Sequence, residues 1–183
     1  KHLGDNPAVE GVYVNCWEDS SRFQVLYRIL DQLQSTLDIH RQSTPRDVLL
    51  ERLRAFDGPP CAVILDEADQ LKDKALIYDL LNLPHYSLVL IANREEDLME
   101  GLDDRLTSRL QGCERIHCQP YTEGQLIDIL YEWIDRELDE FVVDQSVLSK
   151  IGSAAEGDAR VAIKTLRISA RRAEQAETDR INL

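Results

Sequence analysis

The feature of this sequence that most constrains its fold is an unbroken apolar run that ends in two acids. Residues Cys61–Leu65 read Cys-Ala-Val-Ile-Leu, and Asp66 and Glu67 follow directly. The run lacks the polar–apolar alternation of a strand with one solvated face, which is typical of a strand covered on both sides, as in a parallel sheet. In open α/β sheets, ligands bind beyond the carboxyl ends of the strands. We therefore expect a parallel α/β sheet with Asp66 and Glu67 at its ligand-binding edge.

Three further segments are predicted to be strands of the same sheet. Gly11–Cys16 and Ser87–Ala92 are rich in β-branched, aromatic and aliphatic residues, and Arg115–Cys118 is a shorter candidate. Segments with a helical spacing of apolar residues separate these strands, and one of them opens with a predicted capping box at Ser21–Gln24. Strands that alternate with helices are typical of a parallel sheet with crossover helices.

The pattern changes after Pro120, where three helical segments follow one another. Thr122–Gln125 is a predicted capping box for the first of these helices, and Asp158 is the predicted cap of the last. We therefore predict an α/β domain over residues 1–119 and a small all-helical domain over residues 120–183.

The balance of charge limits what this chain can bind. Lys and Arg number 21 against 34 Asp and Glu, for a net charge of −13, and arginines outnumber lysines sixteen to five. Such a balance argues against strong non-specific DNA binding by this segment alone, and it favours a halophilic source, where salt screens repulsion between carboxylates. No apolar run approaches the roughly 20 residues of a membrane span, and no two of the four cysteines form a C-x-x-C metal-binding pair. We expect a reducing cytoplasm, no membrane and no structural zinc.

The two acids suit the chemistry of nucleotide hydrolysis. In P-loop ATPases, an acid at the end of such a strand holds Mg²⁺ directly or through water, and a second acid polarises the attacking water. A strand-end amide, such as Asn93 after the apolar run Leu88–Ala92, can orient that water against the γ-phosphate. Both features also fit strands that end in polar residues because they have reached solvent.

Arginines occupy two further positions that suit a phosphate site. Arg105 and Arg109 are spaced i, i+4 on one face of a predicted helix, from which an arginine finger can reach a neighbouring subunit's nucleotide. Arg160 follows Gly157–Asp158 at the predicted start of a helix, where the helix dipole already favours anions. The alternative is an exposed helix face on which Arg105 pairs with Asp104, together with an ordinary capped helix that carries a solvated Arg160.

These motifs occur in the order that AAA+ ATPases use, and together they resemble the archaeal replication initiators of the origin-recognition and cell-division-cycle type. Tyr13–Cys16 resembles that family's second strand, Leu65–Leu71 its Walker B motif and Ile91–Asn93 its sensor 1. Further along the chain, Leu102–Leu110 resembles the arginine-finger stretch, Gln119–Thr122 the start of the lid domain and Gly157–Arg160 sensor 2. The resemblance implies an AAA+ sheet with crossover helices and a helical lid domain.

The resemblance also implies a role for each candidate residue of the acidic strand edge. Asp66 would coordinate Mg²⁺, Glu67 would activate the attacking water, and Asn93 would sense the γ-phosphate of ATP. The cofactors implied are ATP or ADP with Mg²⁺. The function implied is that of an ATP-dependent initiator of DNA replication, which recognises origins and loads the helicase.

For the arginines, the resemblance implies that Arg109 is the preferred arginine finger, with Arg105 second, and that Arg160 is the sensor 2 arginine that contacts the nucleotide. The partners implied are origin DNA, bound through a winged-helix domain, other AAA+ subunits and the replicative helicase, at the nucleoid in the cytoplasm. Initiators carry an inserted DNA-contacting element in the region that corresponds to residues 35–45. In this chain the region contains one Lys or Arg, Arg41, and Arg46 follows just beyond it.

The sequence departs from that family pattern at three places. No G-x-x-x-x-G-K-[ST] phosphate-binding loop occurs in the chain, although the family places one before Val12. The family's first strand, which lies beside the strand ending at Asn93, is missing, and so is the winged-helix domain beyond Leu183. We therefore expect an ATPase-core fragment without measurable ATPase activity of its own. We also expect Ser87–Ala92 to pair directly with Arg115–Cys118, or with a strand from another copy.

Other functions fit parts of the pattern. One is a degenerate AAA+ module that regulates or assembles without hydrolysis, and another is a different AAA+ loader, such as a clamp-loader subunit or a transposition helper. A metal-dependent nuclease built on Asp66, Glu67 and Asp69 is a remote alternative, because no further acids or lysine follow with nuclease spacing.

The dependence of stability on salt tests the halophile interpretation. Because rising salt screens the repulsion between carboxylates, we expect the thermal midpoint Tm to rise between low and molar KCl. Thermal unfolding followed by circular dichroism at a series of KCl concentrations measures this midpoint. A Tm that is flat or falls across the range would remove the halophile interpretation and leave the family resemblance untouched.

Overall fold

Two units make up the structure, a computed structural model in which the chain divides into Lys1–Glu114 and Arg115–Leu183. The residues that it describes are 9–34, 45–137, 142–178 and 180–181. The region predicted to correspond to the initiators' inserted element therefore lies, apart from residue 45, outside the described residues. The domain boundary predicted at residue 119 stays a prediction.

The first unit alternates strands and helices, as its sequence predicts. Its elements are strand β1 (Glu10–Asn15), helices α1 (Arg22–Gln32) and α2 (Arg46–Arg54), strand β2 (Cys61–Asp66), a 3₁₀ turn (Ala68–Gln70), helix α3 (Ala75–Leu81), strand β3 (Tyr86–Leu90), and helices α4 (Glu95–Met99) and α5 (Asp104–Gln111). The capping box predicted at the start of α1 is confirmed, because the Ser21 hydroxyl accepts a hydrogen bond from the Gln24 amide while the Gln24 side chain accepts one from the Ser21 amide.

The three strands form a parallel sheet in the order β1-β2-β3, which confirms the predicted sheet type. In its register Val12 of β1 pairs with Val63 of β2, which in turn pairs with Leu88 of β3. Val12, Val14, Val63 and Leu65 are buried against leucines and isoleucines of the helices. The opposite face leaves Tyr13 and Val89 about half exposed. The burial alternates along β1, as the period of two in a strand requires.

The fourth predicted strand, Arg115–Cys118, is wrong. The described sheet ends at β3, and residues 114–122 follow α5 without regular secondary structure. Ile116 is 84% exposed, so this segment gains little stability from burying its apolar side chain. A strand this short depends on ladder hydrogen bonds to a neighbour, and the sheet that the structure describes has no ladder to this segment. The predicted direct pairing of Ser87–Ala92 with this segment is therefore wrong as well, and filling of the edge of β3 by another copy stays untested.

The second unit packs three helices around its own core, as predicted. They are α6 (Glu123–Glu137), α7 (Gln145–Ala154) and α8 (Ala159–Gln175). Leu126, Leu130, Leu148 and Leu166 are fully buried where these helices meet. The prediction that this unit is all-helical is wrong in one detail, because strand β4 (Val142–Val143) pairs in parallel with strand β5 (Arg180–Ile181). Two-residue strands carry too little periodicity to be recognised from sequence.

In the described residues of both units, no helix is long and apolar enough to cross a membrane.

A tight contact at Gly157 holds the start of α8 against the segment that precedes α6. Gly157 has a φ of +88°, and a Cβ at this position would lie 2.6 Å from the Cβ of Pro120. Its carbonyl also accepts a hydrogen bond from the Tyr121 amide at 3.1 Å. Both the backbone conformation and the close approach therefore require glycine here.

We expect Gly157→Ala to lower the free energy of unfolding by about 1–3 kcal/mol or more, through backbone strain and the overlap with Pro120. Gly124→Ala is the matched control, because Gly124 lies in α6 of the same unit with no atom within 4 Å of the added Cβ. It should leave stability unchanged or raise it, since alanine is the better helix former. Urea unfolding of both variants measures the difference, and equal stabilities would show that the contact at Gly157 is not built as described.

Candidate functional site: the acidic end of the parallel sheet

The Asp66 carboxylate lies at the end of the central strand β2 and is held through both of its oxygens. Its Oδ1 accepts a hydrogen bond from the backbone amide of Glu67 at 3.0 Å, and its Oδ2 accepts one from the Tyr13 hydroxyl at 2.5 Å. The backbone is fixed as well, because the Cys16 amide donates to the Asp66 carbonyl at 2.8 Å. Asp66 is therefore oriented by two neighbours before any ligand arrives.

The chain turns sharply directly after that carboxylate. Glu67 has a φ of +53° and a ψ of +43°, in the left-handed region that a glutamate rarely adopts. Its side chain is half-buried at the strand edge. Outliers of this kind cost of order 1–3 kcal/mol and cluster at functional sites. The extended backbone of β2 therefore ends between two consecutive acids, with Asp66 in the strand and Glu67 in the left-handed turn.

The end of β3 is tied to this acidic turn, and the connection brings Asn93 to the same sheet edge. The Ile91 amide donates to the Leu65 carbonyl at 2.9 Å, and the Ala68 amide donates to the Ile91 carbonyl at 2.8 Å. The backbone amide of Asn93 then lies 3.4 Å from Oδ1 of Asp69, its acceptor. The Asn93 side chain is exposed. The structure thus brings together Asn93 and the two acids that the sequence singles out.

Sequence reasoning missed Tyr13 as part of this site. The parallel register pairs Asn15 with Asp66, and Tyr13, two residues earlier on β1, shares the face of the sheet from which Asp66 projects. The hydrogen bond to Asp66, with smaller contributions from burial and nearby carboxylates, raises the pKa of Tyr13 to about 12. The alternation along β1 could have indicated Tyr13, because it places an outward-facing tyrosine two positions before the end of the strand.

The residues at this edge fit a magnesium ion held together with a nucleotide. Each Asp66 oxygen uses one lone pair for its hydrogen bond and keeps another for a cation. Mg²⁺ is usually bound by one or two carboxylates plus substrate phosphates and waters, so a single well-oriented carboxylate suits it. Among the described residues, no group of three or more His, Cys, Asp or Glu is arranged to hold a metal by itself. The donor set therefore suits an ion that arrives with phosphate.

The candidate finger arginines both lie on the exposed side of α5. Leu106 and Leu110 anchor this helix by their burial, which turns Arg105 and Arg109 outwards. Arg109 is oriented by α3, because its Nη1 donates to Oδ1 of Asn82 at 3.0 Å and its guanidinium lies 5.0 Å from the centre of the Tyr78 ring. A cation held over an aromatic face keeps its remaining N–H donors available. Arg109 is thus the more firmly positioned of the two arginines.

Arg160 belongs to the second unit, where it is the second residue of α8. The Asp158 carboxylate caps this helix by accepting hydrogen bonds from the amides of Arg160 at 2.7 Å and Val161 at 3.3 Å, which confirms the predicted cap. The side chain of Arg160 is 95% exposed and lies 3.8 Å from the Asp158 carboxylate. Its guanidinium therefore lies in solvent beside the start of the helix, where the helix dipole favours an anion.

The contact between Tyr13 and Asp66 can be measured through the ionisation of the phenol. We expect Asp66→Asn to lower the pKa of Tyr13 from about 12 towards its ordinary value of about 10, because the ionised acceptor is lost. Because the folded state raises this pKa, the hydrogen bond contributes to the free energy of unfolding. The contribution is fully present below pH ~10 and is lost as the pH rises towards 12. Titration of tyrosinate absorbance, with Tyr13→Phe to assign one of the six tyrosines, measures the shift. An unchanged pKa in Asp66→Asn would contradict the contact.

Comparison with known proteins finds a lid-domain family and curated DNA replication proteins that are similar to this chain. Residues 127–183 match the family model described as the Cdc6 AAA+ ATPase-type lid domain. An ORC1-type DNA replication protein 1 of Halobacterium salinarum is 55% identical over 97% of this chain and 58% of its own length. The chain thus spans about half the length of the curated relatives it matches.

Two solved structures extend the comparison to the fold. The structure of the Aeropyrum pernix ORC1 protein in complex with DNA matches with a TM-score of 0.76 and 26% identity, over 96% of this chain and 48% of that one. The ADP form of the Aeropyrum pernix ORC2 protein matches with a TM-score of 0.80 over 99% of this chain and 52% of that one, and at 19% identity it shows the fold alone. With an acidic sheet edge, a three-helix second unit and these relatives, the chain is similar in sequence and fold to ORC1-type DNA replication proteins, and its second unit matches the Cdc6-type AAA+ lid domain.

Proposed function

We propose that this chain is the core of an ATP-dependent DNA replication initiator, in which the described sheet edge carries out nucleotide hydrolysis. The observation that supports this most directly is the meeting of Asp66, Glu67 and Asn93 at one end of a parallel sheet, tied together by backbone hydrogen bonds. Residues 1–119 would form part of the nucleotide-binding domain, and residues 120–183 the lid domain.

In this proposal each acid has a separate task. Asp66, oriented by Tyr13 and by the Glu67 amide, would hold Mg²⁺, which would supply positive charge to neutralise the phosphates. Glu67 projects from the left-handed turn and accepts a proton from the attacking water. Asn93, whose backbone is held near Asp69, uses its exposed amide to hydrogen-bond the water or the γ-phosphate.

The arginines extend the site beyond the sheet edge. Arg109, held over Tyr78 by Asn82, presents its guanidinium from the outer face of α5 to the nucleotide of a neighbouring AAA+ subunit, with Arg105 as the second candidate. Arg160 at the start of α8 contacts the nucleotide bound to its own subunit. Positive charge from these groups stabilises the charge that spreads over the transferring phosphoryl oxygens.

The longer relatives suggest the setting of this core. The ADP form of one neighbour and the DNA complex of another support a nucleotide and DNA as ligands of the longer protein. We propose that the nucleotide is ATP or ADP, and that the DNA is origin DNA contacted through a winged-helix domain. We further propose assembly with other AAA+ subunits, loading of the replicative helicase, and a place at the nucleoid in the cytoplasm. The Halobacterium relative fits the halophilic source that the acidic, lysine-poor composition favours.

The test uses a chimera, because no phosphate-binding loop occurs within these 183 residues. The segment of the Halobacterium salinarum relative that precedes the matched region is joined to the start of this chain. In this chimera we expect Glu67→Gln to retain ATP binding and to lose about 10²–10⁴-fold in the rate of hydrolysis, because the water loses its base. Binding of a fluorescent ATP analogue and release of phosphate measure the two properties separately.

Glu96→Gln is the matched control, since Glu96 is an exposed acid of α4 that lies 3.9 Å from Arg94. It should leave both binding and hydrolysis unchanged. If the unmodified chimera binds ATP without hydrolysing it, the degenerate regulatory or assembly module becomes the better description. If Glu67→Gln hydrolyses ATP at the rate of the unmodified chimera, Glu67 is not the base.

A further inference from the structure

One helix of this acidic chain carries a row of cations that the nucleotide site does not use. Helix α8 holds five basic residues and a single acid, Glu174, while the whole chain has a net charge of −13. Four of the five lie at spacings of four, three and four residues, at Arg160, Lys164, Arg167 and Arg171. With 3.6 residues per turn, these spacings place all four on one face of the helix. We call Lys164, Arg167 and Arg171 the basic row, because Arg160 already has a proposed role.

The side chains of the basic row are exposed, and no acid among the described residues of their unit forms an ion pair with them. All three residues are exposed, whereas Leu166 and Ala170 on the opposite face are buried in the core. Among the described residues, no carboxylate lies within 4.0 Å of Lys164, Arg167 or Arg171. Exposed helical cations often pair with acids three or four positions away, and this row does not.

The middle of the row is also held in place. The Arg167 guanidinium lies 5.3 Å from the centre of the ring of Trp133 on α6. This contact orients a cation without neutralising it, so the N–H donors at its edge stay available to phosphate oxygens. Val161 and Ile168 border the row and are 44% and 42% exposed. The row therefore combines fixed positive charge with uncovered apolar surface.

The geometry points to the basic row as a second contact for duplex DNA, one that binds the sugar-phosphate backbone without reading sequence. From Lys164 to Arg171 the row runs about 10 Å along the helix at 1.5 Å per residue. A duplex of that length carries about six phosphate charges, enough to engage every member of the row. A line of lysine and arginine along one helix is the electrostatic pattern of nucleic-acid contact.

The negative charge of the whole chain does not oppose such a local contact. At physiological ionic strength, charges separated by more than about 8 Å of solvent are largely screened from one another. A phosphate beside the row interacts with the nearest cations, while acids elsewhere on the chain contribute little. The global charge lowers the affinity of the chain for DNA away from the row, which helps to confine DNA to this face.

The test measures the binding of this chain to a fluorescein-labelled DNA duplex of about 20 base pairs by anisotropy, over a series of KCl concentrations. The variant Lys164→Gln, Arg167→Gln, Arg171→Gln removes the basic row and leaves Arg160 in place. The control Arg136→Gln, Lys150→Gln, Arg180→Gln removes three exposed cations of the same unit, so that both variants have the same net charge. Circular dichroism verifies that both variants are folded.

We expect the slope of the logarithm of the association constant against the logarithm of the KCl concentration to fall in magnitude by about 3 in the row variant. It should stay unchanged in the control, because only the row variant loses phosphate contacts, each worth close to one unit of slope. In a Trp17→Phe background, duplex should also change the fluorescence of Trp133, which lies against the row. Equal loss of slope in both variants, or no binding by the unmodified chain, would overturn the proposal. It would also be overturned if the row variant kept DNA binding but lost self-association in sedimentation, since the row would then contact protein.

Discussion

The parallel pairing of β2 with a strand on each side is the interaction on which the rest of the first unit depends. β2 has ladder hydrogen bonds to β1 and β3, so its register positions both neighbours at once. That register aligns Asn15 with Asp66 and lets Ile91 bond to Leu65 and Ala68 beyond the end of the ladder. A slip of one residue would turn Asp66 into the helix-packed core, where an unpaired carboxylate is costly. Burial of Val63 and Leu65 therefore holds the acidic edge in place.

Much of this arrangement follows from the sequence because each element is marked by local chemistry. The apolar runs that end at Asp66 and before Asn93 predict parallel strands, and Ser21 and Asp158 predict helix starts that the structure confirms. These signals are strong since an apolar run needs burial and an open helix end needs a cap, whatever the rest of the chain does.

Other features could not be predicted, because they depend on contacts between segments that are far apart in the sequence. Arg115–Cys118 has the composition of a strand, but a strand also needs an edge to pair with, and the described sheet ends at β3. The short β4–β5 pair is the reverse case, in which two segments far apart in sequence meet without any periodicity to announce them. Tyr13 joins the site only through the register between β1 and β2. The left-handed turn at Glu67 is also a tertiary outcome, since glutamate has no intrinsic preference for it.

Each unit of the chain concentrates charges of one sign, carboxylates in the first unit and cations in the second. At the sheet edge, carboxylates are concentrated where a cation and phosphates are proposed to bind together, and hydrogen bonds from Tyr13 and the Glu67 amide limit their mutual repulsion. On α8, the basic row concentrates three cations that have no carboxylate within 4.0 Å among the described residues, on a chain that is otherwise acidic. Keeping like charges together costs stability in both places, and an opposite charge lowers that cost. Binding of the phosphate-bearing partner proposed for each unit would therefore stabilise that unit and couple its folding to the partner.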